Sequence, residues 1–244
     1  MNPRAGVVLA AGFGSRLREQ NAIKPLTDVG GRALLVRAVE HVLAAGAEEA
    51  IIVLGYEAAA IRDAFQSAYD GDSAKVRFVT NEHYALSNGV SVLAAREAVA
   101  GRAFVLTMAD HVFDDTTLRV ARDHTPEAGS ASLLVDRKLE DVFDMDDATK
   151  VWVDEGKIAQ IGKQLTRFNA VDTGLFVCTP ALFEGIAEAY EARGDASLSD
   201  GVQRLCNAGR MAAVDIGCGW WQDVDTPEML AEARRRLSAK AEPG

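Results

Sequence analysis

The sequence predicts an α/β fold in which a mainly parallel central sheet is flanked by helices and antiparallel strands are added in the second half. Three observations support this fold class. Continuous apolar runs alternate with amphipathic segments over residues 7–108, as in β-α-β units. Shorter apolar runs with a hairpin-like turn follow after residue 130. The 244 residues are 48% hydrophobic and 25% charged, which is typical of a folded globular chain.

The first half is predicted to begin with a buried strand at 7–11, which ends in a turn built on Gly12 and Gly14. Apolar positions repeat with helical spacing over 33–45, and Gly46 ends that helix. The next predicted elements are a strand at 50–54, a helix at 58–69, a strand at 76–80, a helix at 89–98 and a strand at 103–108.

The second half is predicted to contain strands at 132–136, 150–153, 157–162 and 171–178, with a hairpin turn at 154–157. Helices follow at 179–192 and 198–208, and Ser197 or Ser199 is the N-cap of the second. A strand at 212–216 precedes a closing helix. Thr226 supplies the N-cap of that helix, Pro227 its first position and Glu228 an acid in its first turn.

Composition excludes several classes of function. A net charge of −10 and a pI near 4.9 argue against a surface that binds duplex nucleic acid. No apolar run approaches the ~20 residues of a spanning helix, and the N-terminus lacks a signal-peptide pattern. The three cysteines and four histidines lack the spacing of a disulfide framework, a zinc site or a catalytic triad. We therefore expect a cytoplasmic protein that neither binds nucleic acid nor inserts into a membrane.

The glycine turn after the first strand carries the clearest functional signal. Gly12 and Gly14 permit positive φ and let backbone N–H groups face a ligand without an intervening Cβ. Residues 1–32 contain five basic and two acidic side chains, a net charge of +3, and Arg16 and Lys24 lie close to the turn. The spacing fits neither a P-loop nor a three-glycine dinucleotide fingerprint. We predict a phosphate-binding loop, with a purely structural strand-turn as the alternative.

Three aspartates are candidate metal ligands. Asp110 follows the strand at 103–108 and is expected at the same sheet edge as the glycine loop. Asp223 and Asp225 lie just before the closing helix. Carboxylates combined with substrate phosphates commonly hold magnesium, so these residues predict a Mg²⁺ site. The alternative for each aspartate taken singly is a cap or a turn.

The segment Leu9-Ala-Ala-Gly-Phe-Gly-Ser-Arg-Leu17, followed by Lys24-Pro25, closely resembles the signature of the sugar-nucleotide pyrophosphorylases. The resemblance covers nearly the whole chain and implies a Rossmann-like nucleotidyltransferase fold. It implies a single domain over 1–244, with a nucleotide-binding half at 1–128 and an acceptor-binding half at 129–244.

This resemblance also implies roles for individual residues. In the family the loop wraps the triphosphate, and the cations matching Arg16 and Lys24 are catalytic. Asp110 and a late aspartate, Asp223 or Asp225, match the residues that hold the metal. Lys163 corresponds to the catalytic lysine that receives the acceptor phosphate, with Gly-Lys-Gln here in place of the family's Glu-Lys-Pro.

The stretch Thr80-Asn81-Glu-His-Tyr84-Ala-Leu-Ser-Asn88-Gly89-Val-Ser91 lies where the family reads the nucleobase. Its Asn-x-x-Tyr-x-x-x-Asn-Gly-x-Ser form resembles the cytidylyltransferases, which implies CTP as substrate. The predicted nucleotide-binding residues are Leu9, Ala10, Ala11, Gly12, Gly14, Ser15, Asn81, Ser87, Asn88 and Gly89.

The stretch Asp144-Met-Asp-Asp-Ala-Thr-Lys150, with Asp136-Arg137 before it and Asn169-Ala-Val-Asp172-Thr-Gly174 after it, resembles the inositol-1-phosphate cytidylyltransferases. This implies transfer of CMP from CTP to inositol-1-phosphate, giving CDP-inositol and pyrophosphate. A polyol ring requires several fixed hydrogen-bond partners. The predicted acceptor-binding residues are Asp136, Asp144, Lys150, Asp172 and Gly174, with Asp146 and Asp147 as further hydroxyl partners. The alternative for 144–147 is a solvated acidic loop.

Other functions stay open on the sequence. The acceptor could instead be phosphocholine, an aminoalkyl phosphonate or another sugar-1-phosphate, and a nucleotide-binding regulatory protein without turnover is an alternative of another class. Inositol enzymes of this type are often fused to a membrane transferase, and we expect the product of this chain to pass to a separate one. A homodimer is a further open expectation.

Overall fold

The structure is a computed structural model that describes residues 4–13 and 23–239. These residues form eleven strands and eight α-helices. The first half contains β1 (Arg4–Ala10), α1 (Leu34–Ala44), β2 (Ala47–Leu54), α2 (Ala58–Ala68), β3 (Val76–Thr80), α3 (Asn88–Ala94), α4 (Arg96–Val99), β4 (Phe104–Met108), β5 (His111–Phe113) and α5 (Asp115–Asp123). The second contains β6 (Ala131–Asp136), β7 (Lys150–Asp154), β8 (Lys157–Gly162), β9 (Ala170–Cys178), α6 (Ala181–Arg193), α7 (Leu198–Asn207), β10 (Met211–Asp215), β11 (Trp221–Asp223) and α8 (Pro227–Ala239).

A nine-stranded sheet with the order β3-β2-β1-β4-β9-β6-β10-β8-β7 runs through both halves of the chain. β1 pairs in parallel with β2 and β4, and β2 pairs in parallel with β3. β9 is antiparallel to β4 and β6, and β7 and β8 form an antiparallel hairpin. β10 is parallel to β6. The predicted fold class, a mixed sheet with antiparallel strands added in the second half, is confirmed.

Apolar side chains fill both faces of the sheet. Successive residues of β1 alternate between the faces, so Val7 belongs to the apolar cluster that includes residues of α3, α6 and α7, whereas Val8 belongs to the cluster that includes residues of α1, α2 and α5. Phe104 of β4 stacks on Phe183 of α6 with ring centroids 4.7 Å apart. Burial on both faces explains why β4 and residues 5–10 of β1 are almost entirely apolar rather than alternating.

The structure differs from the sequence prediction in three places. The helix predicted at 89–98 is divided at Ala95 into α3 and α4. Helix α5 was not predicted because it presents few apolar residues, although Asp114 caps it by accepting from the Thr117 N–H. The short strands β5 and β11 were also not predicted, and they form a separate ribbon that places His111 opposite Asp223.

Two predicted caps are confirmed. Ser197 forms a reciprocal capping box with Asp200 at the start of α7. Thr226 accepts from the Met229 N–H at the start of α8, at a distance of 3.2 Å. Across residues 4–13 and 23–239, none of the helices combines the length and apolar character that crossing a bilayer requires.

Candidate active site

The candidate site lies at the carboxyl edge of β1 and β4. The Ala109 N–H donates to the Leu9 carbonyl at 2.9 Å, which holds the end of β4 against β1. Lys24 begins a short 3₁₀ turn, Lys24–Leu26. A cavity of about 130 Å³ opens at this edge, and its lining residues are Leu9, Ala10, Gly12, Lys24, Pro25, Ala109 and Asp110. The structure therefore brings three of the predicted nucleotide-binding residues together with Lys24 and Asp110.

Of the other residues predicted in the glycine loop, three lie outside the described residues and one contacts the end of β2. Gly14, Ser15 and Arg16 lie outside the described residues. Ala11 contributes its carbonyl, which accepts from the Tyr56 N–H at 3.1 Å and joins the loop to the end of β2.

Lys24 joins two of the predicted metal ligands. Its Nζ donates to Asp110 Oδ2 and to Asp225 Oδ1, and its side chain is only 10% exposed. Burial lowers the pKa of Lys24, but Asp110 and Asp225 raise it by more, so the net shift is upward. Burial raises the pKa of Asp110, but Lys24 and His111 hold it well below its usual range. The lysine and Asp110 are therefore both charged near neutral pH.

His111 is one of the four histidines for which the sequence showed no zinc-site or triad spacing, and in the structure it orients Asp110. Its Nδ1 lies 2.7 Å from Asp110 Oδ1. Burial lowers the pKa of His111, but the neighbouring Asp110 carboxylate raises it by more. The two oxygens of Asp110 thus face different partners, Lys24 on one side and His111 on the other.

Three carboxylates cluster beside this ion-pair network. Asp147, Asp223 and Asp225 each contribute an oxygen, and these oxygens lie within 4.8 Å of one another. Burial raises the pKa of Asp223, and the nearby Asp225 and Asp110 raise it further. An all-oxygen set of crowded carboxylates fits a hard divalent cation such as Mg²⁺. The cluster contains two of the predicted ligands, Asp223 and Asp225, together with Asp147, which the sequence analysis had assigned to the acceptor. Asp110, the third predicted ligand, lines the same cavity but is not part of this cluster.

A second cavity, of about 280 Å³, connects the carboxylates to the second half of the chain. Lys163 lies in it and forms an ion pair with Asp147, with Nζ 2.6 Å from Oδ1. The lining residues are Asn88, Met108, Asp110, His111, Asp147, Ala148, Thr149, Lys163, Asp172, Gly174, Trp221, Asp223 and Asp225. Because Asp110 lines both cavities, the glycine-loop cavity and this one adjoin at that residue.

Asp172 and Gly174 form one wall of the larger cavity. Gly174 has a φ of +75°, and its N–H donates to Asp172 Oδ1 at 2.7 Å. Burial raises the pKa of Asp172 to about 6, against smaller lowering effects from the Gly174 N–H and from His111. Asp172 thus changes charge close to physiological pH.

Asp172→Asn is expected to raise the free energy of unfolding at pH 8 by up to about 3 kcal/mol, because the wild type there holds a partly buried, ionised carboxylate. The folded pKa of about 6 lies above the ordinary value of 3.8. The unfavourable contribution is therefore complete above pH 6 and shrinks as the pH falls towards 4. Urea unfolding of both proteins at pH 8 and pH 4.5 measures the gap, with the exposed Asp154→Asn as control. A gap of equal size at both pH values would contradict burial as its cause.

Of the other predicted acceptor residues, two line a neighbouring cavity and one supports the acidic loop. Asp136 and Asp144 line a neighbouring cavity of about 210 Å³ that also contains Trp221 and Asp223. Asp136 is buried, and its carboxylate accepts from Lys138 Nζ at 2.6 Å and from Trp221 Nε1 at 3.2 Å. Lys150 lines neither cavity. Its buried ammonium donates to the Asp146 carbonyl at 3.0 Å, so in the structure Lys150 supports the acidic loop instead of forming a cavity wall.

Asn81, predicted to contact the nucleotide, has a side chain that is hydrogen-bonded within the protein. It is 3% exposed, donates to Ser91 Oγ at 3.0 Å and accepts from the His83 N–H at 2.9 Å. Ser87 donates from both its N–H and its hydroxyl to Asp195. These side chains therefore shape the 81–91 segment, and neither lines the cavities described above.

Asn88 and Gly89 tie the same segment to the second half. Asn88 Oδ1 accepts from the Leu198 N–H at 2.8 Å while Asn88 also lines the larger cavity. A Cβ on Gly89 would lie 2.5 Å from the Ala196 carbonyl oxygen, so only glycine permits this close approach.

Sequence reasoning missed an aromatic cluster beside the glycine loop. Phe13, Tyr56 and Tyr84 follow β1, β2 and β3, and their ring centroids are 5.0 to 6.4 Å apart. Gly55 lies beneath them, where a Cβ would come within 2.4 Å of Tyr84 Cβ and 2.9 Å of the Ala11 oxygen. Phe13 is 45% exposed, so the cluster presents an aromatic surface beside the glycine loop. The detectable signal was an aromatic residue after each of three parallel strands.

Comparison with known proteins gives concordant results. The family described as MobA-like NTP transferase domain matches residues 6–198. The "Bifunctional IPC transferase and DIPP synthase" of Rubrobacter xylanophilus is 35% identical over 235 residues, covering 91% of this chain and 49% of that protein. The protein of the same name from Thermococcus kodakarensis is 34% identical, covering 100% of this chain and 53% of that one. The chain thus spans about half the length of these curated relatives.

A solved structure, that of the inositol-1-phosphate CTP transferase from T. maritima, resembles this chain over almost its whole length. The TM-score is 0.80 at 26% identity, covering 96% of this chain and 97% of that one. The α/β fold described above is therefore shared with a solved nucleotidyltransferase.

Proposed function

The chain belongs to the MobA-like NTP transferase family, and on that premise we propose that it transfers CMP from CTP to inositol-1-phosphate, giving CDP-inositol and pyrophosphate. One observation carries the proposal: the glycine-loop cavity and the cavity containing Lys163 meet at Asp110. A nucleotide triphosphate held in the first and a phosphorylated acceptor held in the second would bring their reacting phosphates to one carboxylate-lined point. The inositol-1-phosphate CTP transferase from T. maritima supports the choice of substrates.

The proposed reaction is an in-line displacement. An oxygen of the acceptor phosphate forms a bond to the α-phosphorus of CTP, and the bond from that phosphorus to the oxygen bridging to the β-phosphorus breaks. The electron pair leaves with pyrophosphate. The acceptor phosphate is largely a dianion near neutral pH, so no side chain is required to remove a proton from it.

The residues of the chain would act by positioning and by neutralising charge. Lys24, with Arg16, would bind the triphosphate and stabilise the charge that develops on pyrophosphate. Lys163 would bind the acceptor phosphate and hold its oxygen towards the α-phosphorus. Mg²⁺, held by Asp110 with Asp223 or Asp225, would supply further neutralisation of the phosphate oxygens.

The nucleobase and polyol are proposed to lie on opposite sides of Asp110. Backbone groups of 81–91 and the aromatic surface at Phe13 would face the cytosine. Asp172, Asp136 and Asp144 are proposed to accept from hydroxyl groups of the polyol. A membrane transferase that consumes CDP-inositol is the proposed partner, the reaction is proposed to occur in the cytoplasm, and a homodimer remains a prediction.

Pyrophosphate release with Mg²⁺ tests the proposal across the four nucleoside triphosphates. Each is paired with inositol-1-phosphate, phosphocholine, aminoethylphosphonate or glucose-1-phosphate. We expect a rate maximum at CTP with inositol-1-phosphate. A maximum at another acceptor would overturn the proposed acceptor, and a maximum at another nucleotide would overturn the proposed base. Nucleotide binding without turnover in any pair would favour a regulatory protein.

A further inference from the structure

Asp147 lies between Lys163, which is proposed to bind the acceptor phosphate, and the carboxylates that are proposed to hold Mg²⁺. One of its oxygens accepts from Lys163 Nζ at 2.6 Å. It also offers an oxygen within 4.8 Å of the ligand oxygens of Asp223 and Asp225. All four residues line the 280 Å³ cavity, so a single carboxylate faces both the proposed acceptor lysine and the proposed metal ligands.

The loop that carries Asp147 is built to hold it in place. The Asp147 N–H donates to Asp144 Oδ1 at 3.2 Å, and the Ala148 N–H donates to the Asp144 carbonyl at 3.1 Å. The buried Lys150 ammonium stabilises the loop by donating a hydrogen bond to the Asp146 carbonyl. Asp147 is 28% exposed at its side chain, which distinguishes it from a residue of a fully solvated acidic loop.

Binding of the acceptor phosphate is expected to weaken the ion pair between Lys163 and Asp147. The lysine can neutralise an acceptor phosphate only by giving up at least part of its interaction with Asp147. Asp147 would then lose this ammonium while it faces the carboxylates of Asp223 and Asp225. A divalent cation among these oxygens offsets that repulsion, so Lys163 and the cation compete for Asp147. When the acceptor phosphate binds Lys163, it weakens the contact between Lys163 and Asp147 and so favours binding of the cation.

We propose that Asp147 couples acceptor binding to metal binding by exchanging Lys163 for the divalent cation. The inference rests on the proposed function and adds to it a residue that links the two sites. Because binding linkage is reciprocal, the acceptor raises affinity for the cation, and the cation raises affinity for the acceptor by the same factor. We expect a factor of about ten, within the usual range of coupling between sites.

Mn²⁺ serves as the metal probe, with its free concentration followed by electron paramagnetic resonance. The full chain is titrated with and without inositol-1-phosphate, in the absence of CTP so that no turnover occurs. The wild type is expected to bind Mn²⁺ about tenfold more tightly when the acceptor is present. Asp147→Asn should remove this dependence, and Asp147→Glu should restore part of it.

Lys163→Met gives the most discriminating test because the variant is expected to gain affinity for Mn²⁺. Without the lysine, the Lys163 ammonium no longer competes with the cation for Asp147. The variant should therefore bind Mn²⁺ about tenfold more tightly than the wild type without acceptor, and added acceptor should have no further effect. Asp154→Asn removes one carboxylate from the exposed β7–β8 hairpin and should retain the wild-type coupling.

Two results would overturn the inference: undiminished coupling in Asp147→Asn, or unchanged Mn²⁺ affinity in the wild type when calorimetry shows that the acceptor is bound. Circular dichroism of each variant verifies that it is folded. If the substrate grid identifies a different phosphorylated acceptor, that compound replaces inositol-1-phosphate in the titration. Coupling must still appear with it, so failure of the proposed acceptor and failure of the coupling are distinguishable.

Discussion

Lys24→Ala is expected to lower the turnover number about 100- to 1,000-fold with CTP and the acceptor at saturation. The buried ammonium lies against Asp110 and Asp225 at the edge of the glycine-loop cavity. In the proposed reaction it neutralises charge that grows on the leaving pyrophosphate, and such an interaction is stronger in the transition state than in the ground state. Steady-state pyrophosphate release at saturating Mg²⁺ measures the effect.

A matched variant and a second readout separate this role from a loss of structure. Lys75→Ala removes the same charge from an exposed position immediately before β3 and should leave turnover unchanged. In Lys24→Ala the carboxylates of Asp110 and Asp225 lack their shared ammonium, so Mg²⁺ should raise the melting temperature of this variant more than that of the wild type. Near-normal turnover of Lys24→Ala in saturating metal would show that the lysine does not act on the phosphates.

The parts of the fold that repeat along the chain were predictable from sequence. Strands buried on both faces are predominantly apolar, and helices that pack on them carry an apolar stripe, so β1, β2, β4 and α1 could be located directly. The positions of Lys24 and Asp110 followed from the same logic. A loop and a residue that leave neighbouring parallel strands at their carboxyl ends must emerge at one edge of the sheet.

The features that were missed depend on contacts between distant segments. β5 and β11 have three residues each, too few to show a period, and each forms a strand only because the other pairs with it across more than one hundred residues. The position of Asp147 beside Asp223 depends on how the 144–149 loop closes over the cavity. The local sequence showed that the loop is acidic, but it carried no information about which of its carboxylates lies next to Asp223 and Asp225.

At Asn81 and Lys150, the sequence likewise could not predict the hydrogen-bond partners of the side chain. Their residue types matched the expected chemistry, yet burial determined what each side chain does. Asn81 is enclosed and bonded to Ser91, and Lys150 is turned towards the Asp146 carbonyl. A buried polar group must find partners inside the protein, and the nearest partners come from the fold.

Gly174→Ala is expected to lower the free energy of unfolding by about 2–5 kcal/mol through two separable effects. The glycine has a φ of +75°, where an L side chain is strained by about 1–2 kcal/mol. An added Cβ would also lie 2.3 Å from Cδ2 and Nε2 of His111, so the imidazole must move, and with it the hydrogen bond that orients Asp110.

Gly101→Ala isolates the first effect, because Gly101 has the same φ of +75° and an added Cβ there would meet nothing within 4 Å. This control should lose about 1–2 kcal/mol, and the additional loss in Gly174→Ala measures the overlap with His111. Urea unfolding of both variants gives the stabilities, and turnover at a temperature where both are folded gives the catalytic effect. Turnover should fall in Gly174→Ala alone. Equal losses of stability with unchanged turnover in both would mean that His111 moves aside freely and that its contact with Asp110 has no part in orienting the site.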